Sequence, residues 1–197
     1  MALLTSFPRS LPRWGRLGRC VAVSVMLLSA VAPAMSAQPG PSREVQIKAV
    51  FLFNFAQYVT WPPGALGETG APLVIGVLGD DPLGASLDEA VSGEMVNNHP
   101  LVIQRFRRVE EIQVCHILFI SRPEAGGLER ILGSLNGRSI LTVGDFDEFA
   151  ARGGMIRLVT ENNKVRLRIN LEAAKAAHLT ISSKLLRTAE IVAGGRN

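Results

Sequence analysis

The sequence predicts a single α/β domain of three layers, a mostly parallel sheet flanked by helices, with a late antiparallel hairpin. Three observations carry that expectation. Short continuous apolar runs alternate with helical segments, the pattern of strands buried between two helix layers. Several of those runs end in Gly-Asp or Ser-Arg turns that lead into the next helix. Near the end of the chain the alternation gives way to two strand-like segments around an Asn-rich turn, a hairpin signal.

The chain begins with a targeting segment. Arg9, Arg13, Arg16 and Arg19 form a positive stretch without acidic residues, followed by the apolar run Val21 to Val31 and the small residues of Ala32 to Ala37. That order marks a cleavable signal peptide over residues 1–37. The apolar run is shorter than the roughly 20 residues that a membrane-spanning helix requires. Residues 38–197 are then expected as one domain with no membrane span, working outside the cytoplasm. Removing the signal also settles the charge. The chain has 21 Lys+Arg and 17 Asp+Glu, and the four signal arginines account for the excess (21 − 4 = 17). A near-neutral mature chain lacks the basic footprint of a nucleic-acid binder.

The first helix is expected from Ser42 to Tyr58, capped by Ser42 and blocked by Pro62 and Pro63. Ile47, Val50, Phe51, Asn54, Phe55 and Tyr58 recur at three- and four-residue spacing and are placed on one face, read first as core and otherwise as a partner-binding stripe. Strands follow at Leu73 to Leu78, Leu101 to Phe106, Cys115 to Ile120 and Ile140 to Val143, with helices near Leu83 to Val91 and Leu128 to Leu135. GDFDEF, after the fourth strand, reads as a short helical turn. Met155 to Val159 and Val165 to Ile169 form the hairpin and are expected at a sheet edge. Leu171 to Ala177 and Thr180 to Val192 are read as the last helices. The whole corresponds to a Rossmann-like or flavodoxin-like architecture.

Catalytic signatures are sparse. Ligands of such sheets sit beyond the carboxyl ends of strands, where Asp80, Asp81 and Asp145 lie. Carboxylates gathered there would suit a divalent cation or acid–base work; turn and N-cap chemistry is the plainer account of aspartates after glycine. GDDPLG lacks the lysine of a phosphate loop, and neither GxGxxG nor GxSxG occurs. His99, His116 and His178 are dispersed without metal-ligand spacing. His99 is expected exposed in a turn and His116 satisfied in the core. Cys115 is expected as a buried, inert thiol. Arg166, Arg168 and Asn170 alternate with Val165, Leu167 and Ile169, so the polar set shares one strand face, either solvated or facing an anion. Thr180, Ser182, Ser183 and Lys184 surround a helix start, where capping accounts for the serines and an anion is the alternative.

Taken in order, IKAVFLFNFAQYVTWP (Ile47 to Pro62), LVIGVLGDDPLG (Leu73 to Gly84), HILFIS (His116 to Ser121), ILTVGD (Ile140 to Asp145), and GGMIRLV with NNKVRLRINLEAAKAAHLTISSKLLRTA (within Gly153 to Ala189) resemble the YfiR family. The resemblance spans nearly the whole mature chain. It implies a small exported α/β regulator. The best-understood members hold an inner-membrane diguanylate cyclase inactive by binding its periplasmic sensor portion, and release raises cyclic-di-GMP and promotes biofilm formation. Other members are attached to sensor kinases. Some repressors carry cysteine pairs, whereas this mature chain retains only Cys115, which weakens the case for redox control by an internal disulfide.

The expectation is therefore a non-enzymatic repressor, without cofactor or metal, acting on an inner-membrane diguanylate cyclase or sensor kinase, with homodimerisation open. Its candidate partner-binding residues are Phe51, Phe55, Tyr58 and Trp61. The alternative is a small-ligand receptor using Asp80, Asp81, Asp145, Arg166, Arg168 and Ser183. A metal-assisted hydrolase using the same aspartates is the third reading.

Overall fold

Leu73–Leu78, apolar or glycine at every position and buried throughout, forms strand β2 in the middle of the sheet, where both faces are covered. The computed structural model describes residues 42–194; the signal peptide expected over residues 1–37 lies outside the described residues. Before β2 come helix α1 (Arg43–Tyr58), capped by Ser42 as expected, and the two-residue strand β1 (Val59–Thr60). After it come α2 (Ala85–Val91), β3 (Met95–Val96), β4 (His99–Phe106) and β5 (Ile117–Ile120). The chain continues through α3 (Leu128–Ser134), β6 (Leu141–Gly144), β7 (Ile156–Glu161) and β8 (Lys164–Ile169). It closes with α4 (Leu171–Ala176), β9 (Thr180–Ile181), α5 (Ser183–Leu186) and β10 (Ala189–Ile191).

The main sheet has eight strands in the order β10-β8-β7-β6-β5-β2-β4-β3. Strands β4, β2, β5, β6 and β7 run parallel, and β8 returns antiparallel to β7. Asn162 and Asn163, with φ of 51° and 58°, turn that hairpin. Two successive left-handed residues match the strand twist, and asparagine tolerates them well. A second Asn-Asn pair, Asn97 and Asn98, turns β3 into β4 in the same way.

One face of the sheet packs Ile75, Val77, Ile117, Phe119 and Val143 against α1, α2 and the C-terminal segment. The other face packs Leu78, Leu118 and Ile120 against α3, Phe146 and Phe149. These are the three layers expected. Phe149 lies across Gly144 and Gly154: a Cβ built on Gly154 would sit 2.2 Å from its ring and one on Gly144 2.6 Å. Both positions must be glycine for the ring to close the core.

Two expectations need correction. The segment Thr180 to Val192 is not one helix but β9, a single turn of α5 and β10, because Ala189–Ile191 finds hydrogen-bonding partners along Leu167–Ile169. The hairpin is consequently not the edge of the sheet, since β10 adds a parallel strand outside β8. GDFDEF opens a short run of hydrogen-bonded turns, as expected, with Arg152 N–H donating to the Glu148 carbonyl at 2.8 Å.

Candidate functional site

The carboxyl ends of the central strands carry the aspartates, and the strand order decides what they can do. Asp80 and Asp81 follow β2, and Asp145 follows β6, with β5 between them. Neighbouring strands lie about 4.8 Å apart, so the two ends are separated by roughly 10 Å. Each aspartate has its own local business. Asp81 accepts N–H bonds from Leu83 (2.8 Å) and Gly84 (3.0 Å) and pairs with Arg105 at 2.7 Å. Burial opposes its ionisation, but these donors outweigh burial and hold the carboxyl below its usual range. Arg105 also reaches Asp88 at 3.0 Å.

Asp145 receives Lys48 Nζ from α1 at 2.7 Å, and the same ammonium lies 2.7 Å from Glu44. Burial alone would depress Lys48, but the Asp145 and Glu44 carboxylates override it and raise its pKa above the ordinary lysine value. Asp80 is exposed. Among the described residues, no three His, Cys, Asp or Glu side chains gather as a metal would require. The aspartates are thus kept apart, two of them in ion pairs that fasten α1, α2 and β4 to the strand ends.

On β8 the expected alternation is present. Val165, Leu167 and Ile169 face the α1 side, and Arg166, Arg168 and Asn170 the other. Arg168 is occupied by Glu161 (3.1 Å) and Glu190 (2.9 Å). Asn170 is buried, capping α4 by accepting from Ala173 N–H and donating to the Ala150 carbonyl. Arg166 is exposed and makes no ion pair among the described residues. Ser183 opens α5, whose cap is Ser182.

The aromatic residues of α1 divide between the two sides of the helix. Its core face is Ala49, Leu52, Phe55 and Ala56, so Phe55 is fully buried. Trp61 is buried too, edge-on to His116 with ring centroids 6.5 Å apart. Phe51 and Tyr58 are half-buried. The stripe read first as core is displaced outward: Ile47, Val50, Phe51 and Asn54, with Gln46, line an open apolar hollow of about 300 Å³. Val50 is 48% exposed. At Phe51 this hollow meets a second one of about 280 Å³, lined by Lys164, Val165, Arg166, Leu167 and Thr188. Gln46, Lys164 and Thr188 escaped the sequence reading. The signal available for the correct phase was the pair Ala49 and Ala56 around Leu52 and Phe55, a second stripe of smaller residues.

Two buried histidines hold the loop between β1 and β2. His116 Nδ1 accepts the Val74 N–H at 2.9 Å, which places the proton on Nε2, where it is donated to the Ala65 carbonyl at 3.1 Å. His99, expected exposed, is buried, with Nδ1 2.7 Å from the Ala71 carbonyl. Cys115 lies in the opposite core, donating to the Ile117 carbonyl at 3.1 Å, and burial pushes its thiol up to about 12.

Fold and sites together define a three-layer α/β domain whose strand-end charges are mostly paired and whose first helix leaves an apolar face open. The YfiR/HmsC-like family profile matches residues 45–190, and the chain belongs to that family. No curated protein matches it. Among solved structures it is similar to the ABC domain in complex with L-Trp from Streptococcus pneumonia, at 13% identity and a TM-score of 0.48, over 76% of this chain and 60% of that one. It is also similar to a conserved domain protein from Vibrio cholerae, at 15% identity and a TM-score of 0.45, over 60% of this chain and 54% of that one. No helix among the described residues is long and apolar enough to cross a membrane.

Proposed function

We propose that this protein is a non-enzymatic periplasmic regulator that binds and represses the extracytoplasmic portion of an inner-membrane signalling protein, a diguanylate cyclase or a sensor kinase. The observation that carries the reading is membership of the YfiR/HmsC-like family across residues 45–190. The signal-like start of the sequence supports export. The engagement of Asp81 and Asp145 in ion pairs speaks for a structural use of those carboxylates. The open face of α1 supplies apolar surface for a partner, with Phe51 as its aromatic anchor and Tyr58 at its end.

Periplasmic crosslinking followed by purification of the mature protein tests this. Recovery of a membrane-bound cyclase or kinase in stoichiometric yield is expected. Recovery of the bait alone, under conditions that preserve its fold, would overturn the reading.

A further inference from the structure

The segment that joins β1 to β2, residues 62–72, is fastened to the domain by imidazoles. Its own backbone bonds are internal: Ala65 N–H donates to the Pro62 carbonyl, Gly67 N–H to Gly64 and Ala71 N–H to Glu68. Gly64, Gly67 and Gly70 all hold positive φ, and no residue of the segment is buried. Among the described residues, two hydrogen bonds tie it to the rest of the domain. His116 Nε2–H donates to the Ala65 carbonyl and His99 Nδ1–H to the Ala71 carbonyl. Ala65 and Leu66 add apolar contact with the core.

The two histidines differ in what a further proton does. His99 donates to Ala71, and a charged ring still donates. His116 accepts the Val74 N–H at Nδ1, and that lone pair is where the proton would go. Protonation sets two N–H groups against each other at a residue only 5% exposed. The surroundings offer the charge no counterion. From β4 the ring feels His99, a potential second cation. From the turn before β6 comes Arg138, which shares with His116 a hollow of about 270 Å³. Cys115, its neighbour on β5, lines the same hollow and stays neutral. Val74 of β2 and Leu141 of β6, which flank His116 through its backbone bonds, are apolar. The segment itself brings Glu68, which is exposed, and no carboxylate among the described residues lines the hollow. An imidazolium here gains water only by displacing the segment whose Ala65 carbonyl covers it.

We infer that residues 62–72 are an acid-released latch: protonation of His116 frees the segment from β5 and bares the hollow lined by Cys115, His116 and Arg138, while the sheet stays intact. The sheet does not depend on the segment, since β2 pairs with β4 from Leu73 onward and with β5 from Ile75 onward. Release also uncovers Trp61, which lies edge-on to His116 and whose indole N–H has no partner among the described residues. The latch is a property of the fold and does not rest on the regulator reading.

Hydrogen exchange of the mature protein tests it, followed by mass spectrometry as the pH is lowered from about 7 to about 4.5, between the histidine and carboxylate ranges. After correction for intrinsic rates, exchange of residues 62–74 should rise by up to about tenfold for each pH unit below about 6.5. Exchange of Ile117–Ile120, in the centre of the sheet, should not follow. Trp61 is the one tryptophan of residues 38–197, so its emission should shift to the red and its quenching by acrylamide increase over the same range. His116→Asn, which keeps an acceptor without titrating there, should abolish both responses. His99→Gln, which keeps a donor for Ala71, should retain them. Exchange of 62–74 that ignores pH, or that rises together with Ile117–Ile120, would overturn the latch. So would an unaltered response in folded His116→Asn, or its loss in folded His99→Gln. The wild-type exchange decides the matter even where a variant fails to fold.

Discussion

The side chain of His116 and the backbone of Val74 form a hydrogen bond of 2.9 Å in which the imidazole Nδ1 is the acceptor. Such a bond exists only while the ring is neutral, and the same ring ties down the Ala65 carbonyl through its other nitrogen. Burial is the main reason the imidazole pKa lies below its ordinary value; the Ala65 bond opposes this weakly, and nearby His99 adds to it.

The sign of the pH effect follows. A histidine whose folded pKa is depressed binds fewer protons folded than unfolded, so stability is full above the unfolded pKa near 6.5 and declines as pH falls below it. The melting temperature should drop as pH falls below about 6.5, and the His116→Asn variant, which keeps an acceptor for Val74, should flatten that decline. Melting curves across this pH range would decide it; an unchanged slope in the variant would assign the effect elsewhere.

The ion pair of Lys48 with Asp145 joins α1 to the end of β6. With side chains 10% and 12% exposed, it is better shielded than a surface pair. Lys48→Met leaves a half-buried carboxylate without its cation and should destabilise by about 1–3 kcal/mol, between the surface and fully buried cases. Adding Asp145→Asn should recover part of the loss. Because the Lys48 pKa is raised, its contribution persists below about pH 10.4 and is lost as pH climbs through the folded value. Urea titrations of the single and double variants measure both terms.

Phe149 lies against two glycines, and Gly154→Ala drives a methyl into its ring. A loss of about 3 kcal/mol is expected, at the upper end of overpacking effects. Phe149→Leu should restore part of it by vacating the space, so the double variant should be more stable than the sum of the singles. Denaturant unfolding of the four proteins gives the coupling directly; additive effects would contradict the contact.

Cys115 should be chemically quiet. Its thiol, pushed up to about 12 and enclosed in the core, carries almost no thiolate at neutral pH. Alkylation by iodoacetamide at pH 8 should be slower than in urea by at least about a hundredfold, since labelling requires opening of the core. Mass spectrometry over time follows it. Rapid labelling of the native protein would reveal an accessible thiol and reopen redox control.

The central strands were legible because a strand covered on both faces is written as an uninterrupted apolar run, and LVIGVL and ILFI are such runs. The Asn-rich turn at Asn162 and Asn163 was legible for a local reason too, since few residues accept two successive left-handed conformations. The face of α1 was misread because aromatic side chains dominate any visual count, whereas the sheet selected the stripe of Ala49, Leu52 and Ala56 that lets the helix approach closely. The end of the chain was misread because Ala189–Ile191 has helical neighbours in sequence and a strand partner in space. The aspartates could not be judged from sequence, because the strand order that places β5 between β2 and β6 is a property of the whole sheet.

Thr60 and Thr180 are register partners in the small β1–β9 ladder, 120 residues apart, and the Ser182 N–H closes onto the Tyr58 carbonyl at 2.8 Å. The beginning and the end of the domain are therefore stitched by the same seam. A chain emerging N-terminus first from a ribosome or an export channel presents α1 long before the segment that secures it arrives. Its inner face meets α2 and the central strands first, and the closure of its C-terminal end onto Thr180–Ser182 comes last, a long-range contact of the kind that slows folding. Loss of the last eighteen residues, from Thr180 onward, would accordingly be felt at the opposite terminus, as a loosened end of the first helix.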